Sequence, residues 1–247
     1  MLIKAIKTHK IRAGEDSLLS VLNDAIDSMP EGSILAVTSK IVSLCENNVI
    51  PLDSIDREAL IVQEADMYLP PTLSKYGSHF TIINNTLISA AGIDESNGEK
   101  NYVLWPKDVQ ATANQVRIYL KKRFKLKKVG VIITDSISYP MRRGSIGVVL
   151  AYSGFQALND YRGKPDLFGR LLNVSVANVA NSLSSAAVLA MGEGDEQTPL
   201  AIASDLPFIN FQDRNPSRQE LEEVFVELKD DLFAPFLEKV DWQNGDR

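Results

Sequence analysis

Three carboxylate-bearing segments hold residue types at spacings that could do chemistry. Asp135 follows the apolar run Val129-Gly-Val-Ile-Ile-Thr134, and Ser136 beside it adds a hydroxyl. A carboxylate at the C-terminal end of a buried strand is a common place for a metal-bound nucleotide phosphate. In Ala90-Ala-Gly-Ile-Asp94-Glu-Ser-Asn97-Gly98, Gly92 and Gly98 bracket a loop that would present Asp94 and Asn97 on one side. Met191-Gly-Glu193-Gly-Asp195-Glu196-Gln-Thr-Pro199 is a glycine-punctuated acidic loop just past a helical pattern. Each has a purely local alternative. Asp135 could cap the following turn, Asp94 could close an Asx-turn, and Gly192 could be a helix C′ residue beside solvated acids. Together they fit hard-cation chemistry, in which divalent ions on carboxylates and phosphate oxygens stabilise phosphoryl transfer.

The cation must be of that kind because the other ligand types are missing. The chain has one cysteine, Cys45, and two histidines, His9 and His79, too few for a Cys/His zinc site. Oxygen ligands point instead to magnesium, manganese or calcium. One cysteine also excludes an internal disulfide framework and fits a reducing compartment, so a cytoplasmic location is expected. Cys45 reads as a small buried residue. Neither a Gly-x-x-x-x-Gly-Lys-Ser/Thr loop nor a Gly-x-Gly-x-x-Gly fingerprint occurs. Arg142 and Arg143 lie one loop beyond Asp135, where guanidinium groups could hold phosphate or a substrate carboxylate. Six of the eight residues from Lys121 to Lys128 are basic, which reads as a favourable helix C-terminus.

The 247 residues carry 26 Lys and Arg against 32 Asp and Glu, a net charge of −6. That balance disfavours a general nucleic-acid binder. A hydrophobic fraction of 45% with 23% charged residues is that of a folded globular chain. The longest apolar runs, such as Ile146–Ala151, are too short to span a bilayer. Strands are expected at 2–8, 34–37, 129–134 and 171–176, with a hairpin across 80–89 around Asn84-Asn85. Helices are expected at 17–29, 56–68, about 108–124 and 177–191, and an amphipathic stretch at 217–240 interrupted by Pro235. Asp16 or Ser17 would cap the first of these helices. Intermixed strands and helices make the class α/β or mixed α+β.

Read in order, these segments resemble the coenzyme F-420 γ-glutamyl ligase family. Thr38-Ser-Lys-Ile-Val-Ser43, Ala91–Asn97, Val131-Ile-Ile-Thr-Asp-Ser136, Arg143-Gly144, Asp166-Leu-Phe-Gly-Arg170 and Met191-Gly-Glu-Gly194 before Pro199 all match, over roughly residues 1–210. The resemblance implies a two-lobed fold in an intertwined homodimer, with a ligase unit at 1–212 and a helical tail at 213–247. It implies amide ligation of L-glutamate to a small-molecule acceptor, through an acyl phosphate made with GTP (or ATP) and Mg2+ or Mn2+. No nucleic-acid or membrane partner is implied. Asp94, Asp135, Ser136 and Glu193 would be metal ligands. Asn97 would contact the nucleotide, as would Thr8, His9, Lys10, Ile11, Ser39 and Lys40. Met191, Gly192, Gly194, Asp195 and Thr198 would wrap it. Asp135, with Arg142 or Arg143, would carry the catalytic step.

Departures from the family pattern bear on the acceptor. After Thr38–Val42 the family reads Ser-Lys-Ala-Glu-Gly-Arg, whereas this chain has Ser43-Leu-Cys-Glu-Asn-Asn48. Leu44 therefore stands where a lysine contacts nucleotide phosphate. An acidic pair of the late helix is replaced by Asn181-Ser182, and Ile137-Ser-Tyr-Pro140 replaces a Gly-Arg-Pro segment. These differences favour a folate-type acceptor over the deazaflavin coenzyme precursor. Alternatives are ligation of another amino acid or amine, and a non-catalytic nucleotide-binding dimer.

Overall fold

The computed structural model describes residues 1–247. The larger lobe starts with β1 (Leu2–Ile6), α1 (Leu18–Ala25), β2 (Ser33–Thr38) and α2 (Ser39–Cys45). Ser17 caps α1 by accepting from the Ser20 N–H at 3.2 Å, an interaction worth about 1 kcal/mol. The smaller lobe follows, with β3 (Val49–Pro51), α3 (Arg57–Glu64), β4 (Met67–Leu69), β5 (Phe80–Ile83), β6 (Thr86–Ser89) and β7 (Asn101–Val103). The chain returns to the larger lobe through α4 (Val109–Phe124), β8 (Val129–Ser138) and β9 (Ser145–Ser153). Asp108 caps α4, and Lys125 ends it in a left-handed conformation. A protruding two-stranded arm, β10 (Leu158–Asp160) and β11 (Val176–Asn178), precedes α5 (Val179–Met191) and β12 (Leu200–Ser204). The tail carries α6 (Arg218–Val224), α7 (Ala234–Leu237) and β13 (Gln243–Asn244).

The main sheet has the order β1-β12-β2-β8-β9. Only β2 and β8 are parallel neighbours, and both read as continuous apolar runs because helices cover both faces. On one face Leu35, Val131 and Ile133 pack against Leu22 of α1 and Val116 and Leu120 of α4. On the other, Ile34, Ile132, Tyr152 and Phe155 meet the small-residue face of α5, Ala180, Leu183 and Ala187. The smaller lobe holds a sheet of order β13-β4-β5-β6 and the pair β3-β7, closed by Leu60, Ile61, Tyr102 and Leu104. The lobes are joined where Ile83 and Ile88 of the β5–β6 hairpin meet Trp105 and Leu150. The chain is thus a mixed α/β protein, as expected.

Several expected boundaries move. The apolar run Ile146–Ala151 is the middle of β9, which pairs antiparallel with β8 and carries β8 on to Ser138. Asp135 therefore lies inside a strand, opposite Val148, and not in a turn after it. The register shifts between Ile133 and Thr134, so Leu150 on β9 is an extra residue, a bulge that aims its side chain at the lobe junction. The expected strand at 171–176 is confined to Val176, where β11 begins. Leu171 and Val174 keep an apolar pattern but are 57% and 86% exposed; no sheet is there to receive them. The helix expected at 56–68 stops at Glu64, since Met67-Tyr-Leu69 pairs with β5 instead. In the tail only Arg218–Val224 forms a helix of more than one turn.

The tail touches both lobes. Leu221, Val224 and Phe225 pack on the α5 side of the main sheet, while β13 pairs with β4. At its start, the buried guanidinium of Arg117 donates to Ser153 Oγ at 3.0 Å and to Asn215 Oδ1 at 2.9 Å.

Candidate active site

The C-terminal ends of the parallel strands β2 and β8 form the floor of the site, where open α/β sheets commonly bind ligands. Four loops converge there. Thr8, at the end of the β1 segment, donates its N–H to Gln197 O at 3.1 Å, and Gln197 Nε2 donates back to Thr8 O. Thr38 N–H donates to Pro199 O, and Asn97 Nδ2 donates to Gly194 O at 3.2 Å. The 191–198 loop therefore touches segments 8–11 and 94–97, and Pro199 beside it touches Thr38, although these segments are distant in sequence. Thr198 Oγ1 donates to Met191 O, closing the base of the acidic loop. Gly192 caps α5 with φ 83°, a conformation natural to glycine. Lys10, Gly194 and Asp195 are exposed, Ile11 is half-buried, and Thr8 and Ser39 are buried. His9 is turned to Asp16, with Nε2 2.9 Å from Oδ2.

The two strongest carboxylates come from different lobes and have opposite electrostatics. Asp94 is half-buried. Burial pushes its carboxyl up, but Lys40 and the Ser96 donors outweigh that and leave it below the ordinary aspartate value. Lys40 Nζ is 2.5 Å from Oδ2 and also donates to Ser96 O at 3.0 Å. Ser96 N–H donates to Asp94 Oδ1 at 2.7 Å, so Asp94 does close an Asx-turn. Asp135 has no cation. Desolvation of its carboxyl dominates over the Ser136 N–H, the Trp105 indole and the Ser39 hydroxyl, and nearby Asp94 adds repulsion, so it is pushed up to about 6. A carboxyl so placed, beside a second carboxylate in a cleft, marks a functional site on physical grounds.

Ser136 points to the other side of β8, where its hydroxyl donates to Glu193 Oε1 at 2.7 Å. Thus the expected metal ligands meet as two pairs, Asp94 with Asp135 and Ser136 with Glu193, on opposite faces of the strand. No three of the His, Cys, Asp and Glu side chains gather at metal-binding spacing. The donors are nonetheless all oxygens, and Asp135 is a half-buried carboxylate with only neutral donors around it. The donor chemistry fits a hard divalent cation shared by Asp94 and Asp135.

The structure does not bring Arg142 or Arg143 to these carboxylates. Both are exposed at the turn of the β8–β9 hairpin, and Arg142 Nη1 donates only to Met141 O. Because Asp135 is a strand residue, the turn lies about 10 Å further along the ribbon. Leu44 is 5% exposed, a packed position on α2 with no open face toward phosphate. Asn181 is also structural: its Oδ1 accepts the Val149 N–H at 2.9 Å, beside the β9 bulge. Burial pushes the Cys45 thiol up to about 12, which keeps it protonated. A cavity of about 520 Å³ lies elsewhere, bordered by Tyr152, Asn159, Arg162 and Glu223.

Trp105 is the residue that motif reading missed. Its Nε1 donates to Asp135 Oδ2 at 2.5 Å, and its backbone is tied to Asn48 in the segment that departs from the family pattern. A single Trp before Pro106 has no distinguishing sequence signal, since its partner is on another lobe.

Comparison with known proteins identifies the family. The family model described as F420-0:Gamma-glutamyl ligase matches residues 5–205. A protein of Methanopyrus kandleri called Coenzyme F420:L-glutamate ligase is 34% identical over 210 residues, covering 78% of this chain and 82% of its own. The protein of the same name from Methanocaldococcus jannaschii is 32% identical over 223 residues, covering 83% and 89%. No helix is long and apolar enough to cross a membrane. With its ordered motifs and its two-lobed carboxylate site, the chain belongs to the F420-0:γ-glutamyl ligase family.

Proposed function

We propose that this protein joins L-glutamate to a small-molecule acceptor through an amide bond, using a nucleoside triphosphate and divalent cations. The observation that carries the reading is Asp135, a desolvated carboxylate without a cation, close enough to Asp94 for the two to repel. The names of the relatives supply the substrate class, glutamate and the deazaflavin coenzyme F420. That pairing makes the F420 precursor the first acceptor to try, ahead of a folate-type acceptor.

In this scheme an acceptor carboxylate takes the γ-phosphoryl group, and the amine of glutamate displaces phosphate from the resulting acyl phosphate. Asp94 and Asp135 would hold one cation and Ser136 with Glu193 a second. Such ions, when bound, neutralise phosphate charge during transfer. The chain's own contribution is placement. Lys40 holds the 94–97 loop against α2, and Asn97 ties that loop to Gly194. The 8–11 and 191–198 segments form a wall where nucleotide would lie. The half-buried Asp135 carboxyl is held in place by the Trp105 indole and the Ser136 N–H.

Self-association is part of the proposal. Asp166 accepts from the Phe168 and Arg170 N–H groups, forming a tight turn that presents Leu167 and Phe168 at 98% and 96% exposure. Met141, at the turn of the β8–β9 hairpin, is 92% exposed. Apolar tips of this kind call for burial, and a second copy of the chain supplies it. The partner's hairpin could then bring Arg142 and Arg143 to a site that the single chain leaves without them.

The test is a mass-spectrometric addition assay. Purified protein receives L-glutamate, Mg2+ and Mn2+, GTP or ATP, and either the F420 precursor or reduced folates. A product heavier by one or more glutamyl units establishes ligation and names acceptor and nucleotide. Nucleotide binding without any product would favour a different amine or acceptor, and loss of both would leave a non-catalytic dimer.

A further inference from the structure

We propose that Trp105 is a positioning residue: its indole N–H, reaching across the junction of the lobes, fixes the Asp135 carboxylate and its separation from Asp94. The inference rests on the reading of those aspartates as cation ligands. Indole nitrogen is a donor only, and here it donates to Asp135 Oδ2 at 2.5 Å. The ring has little freedom, being 7% exposed and packed among Ile83, Ile88 and Leu150.

Its backbone is equally held. Asn48 Nδ2 donates to Trp105 O at 2.6 Å, and the Leu104 N–H donates to Asn48 O. The space for the indole is made by Gly92: a Cβ there would stand 2.1 Å from Trp105 Nε1. Ala90, Ala91 and Gly92 all have positive φ, of 54°, 51° and 69°. That strained turn is held by Thr81, whose hydroxyl accepts from the Ala91 N–H at 2.8 Å.

The same element places Asp94. Asp94 exchanges both backbone hydrogen bonds with Val103, at 3.1 and 2.8 Å, and Trp105 lies two residues beyond Val103, where β7 ends. One rigid ladder therefore sets both carboxylates, Asp94 directly and Asp135 through the indole. An uncharged donor suits this task. Lysine at such a place would neutralise Asp135, as Lys40 neutralises Asp94, whereas indole orients the carboxylate and leaves its charge for a cation. Neutral donors behind a metal ligand typically change metal affinity by about 10- to 100-fold.

The test uses the full chain without added nucleotide. It has two indole N–H groups, of Trp105 and Trp242, and Trp242 donates to Leu237 O, far from the carboxylates. In a nitrogen–proton NMR spectrum, Trp105→Phe assigns the Trp105 indole signal by deleting it. Asp135→Asn should shift that signal and leave the Trp242 signal in place. Mn2+ binding, read from free Mn2+ by electron paramagnetic resonance, should weaken about 10-fold or more in Trp105→Phe. Gly92→Ala, which displaces the ring without changing its chemistry, should weaken it in the same direction. An indole signal indifferent to Asp135→Asn overturns the proposal even if Trp105→Phe fails to fold. Equal Mn2+ affinity in wild type and a folded Trp105→Phe overturns it and leaves the ligase reading standing. No Mn2+ binding by wild type, with the indole response intact, overturns the metal reading and the positioning role together.

Discussion

Asp94 and Asp135 are the same residue type facing one cleft, yet their surroundings drive them in opposite directions. Asp94, in a loop of the smaller lobe, has Lys40 on its oxygen and sits below the ordinary value. Asp135, inside a strand of the larger lobe, has only neutral donors and rises to about 6. The loop carboxylate is neutralised within the protein, whereas the strand carboxylate is held by neutral donors alone; two aspartates of one cleft differ in charge balance because one follows a turn beside α2 and the other lies within β8.

Replacing Asp135 should break the comparison most severely. Asp135→Asn keeps shape and an acceptor for Trp105 but removes the charge, and turnover should fall by on the order of 10³-fold or more. Mass spectrometry of glutamylated product checks this; near-normal turnover would take Asp135 out of the chemistry.

The same variant should be more stable than wild type in the absence of metal. The folded value near 6 exceeds the unfolded value of about 3.9, so the folded state binds more proton between them. Stability is therefore lost as pH rises from about 4 to 6, and the full penalty persists above. Asparagine escapes it, for a gain of at most roughly 3 kcal/mol at pH 7.5 that closes near pH 4. Urea denaturation at the two pH values measures the gap. A less stable Asp135→Asn at pH 7.5 would mean that the carboxylate is well solvated.

Lys40→Met sharpens the comparison from the other side. Asp94 loses its cation but keeps its burial, so its titration should move upward toward the behaviour of Asp135. Because Asp94 is 44% exposed at its side chain, the stability loss at neutral pH should be about 1 kcal/mol or less. Here the sign reverses: a depressed carboxylate stabilises above its unfolded value, and this is lost as pH falls. An Asp94 titration that stays depressed in Lys40→Met would show that the Ser96 donors suffice. The smallest effect on the isolated chain is expected for Arg142→Ala, whose side chain bonds only to Met141 O. Its stability should change by less than about 0.5 kcal/mol. A turnover loss without such a change would place the hairpin in a partner's site.

Much of this architecture is legible locally. The apolar runs of β2 and β8, the Asn84-Asn85 hairpin, the Asp108 cap and the stop at Gly192 each depend on neighbours in sequence. The ordered motifs likewise single out segments 38–40, 94–97 and 191–194 from sequence alone. What was not legible depends on distant partners. Asp135 looks like a residue after a strand until β9 pairs with it. The alternation at 171–176 promises a strand, but an arm outside the sheet has no face to bury. Trp105 and Asp135 lie thirty residues apart, and only the meeting of the lobes gives the indole a purpose.

The pairing of Gln243–Asn244 with Tyr68 and Met67 has a consequence for how the molecule is assembled. β4 and its hairpin are synthesised well before the strand that seals their edge, since Gln243 follows its partner Tyr68 by 243 − 68 = 175 residues. Contacts so separated in sequence form slowly, and an unsealed edge can recruit a foreign strand meanwhile. The nascent smaller lobe therefore passes through a long interval of vulnerability, ended only when the tail has crossed the larger lobe and reached it.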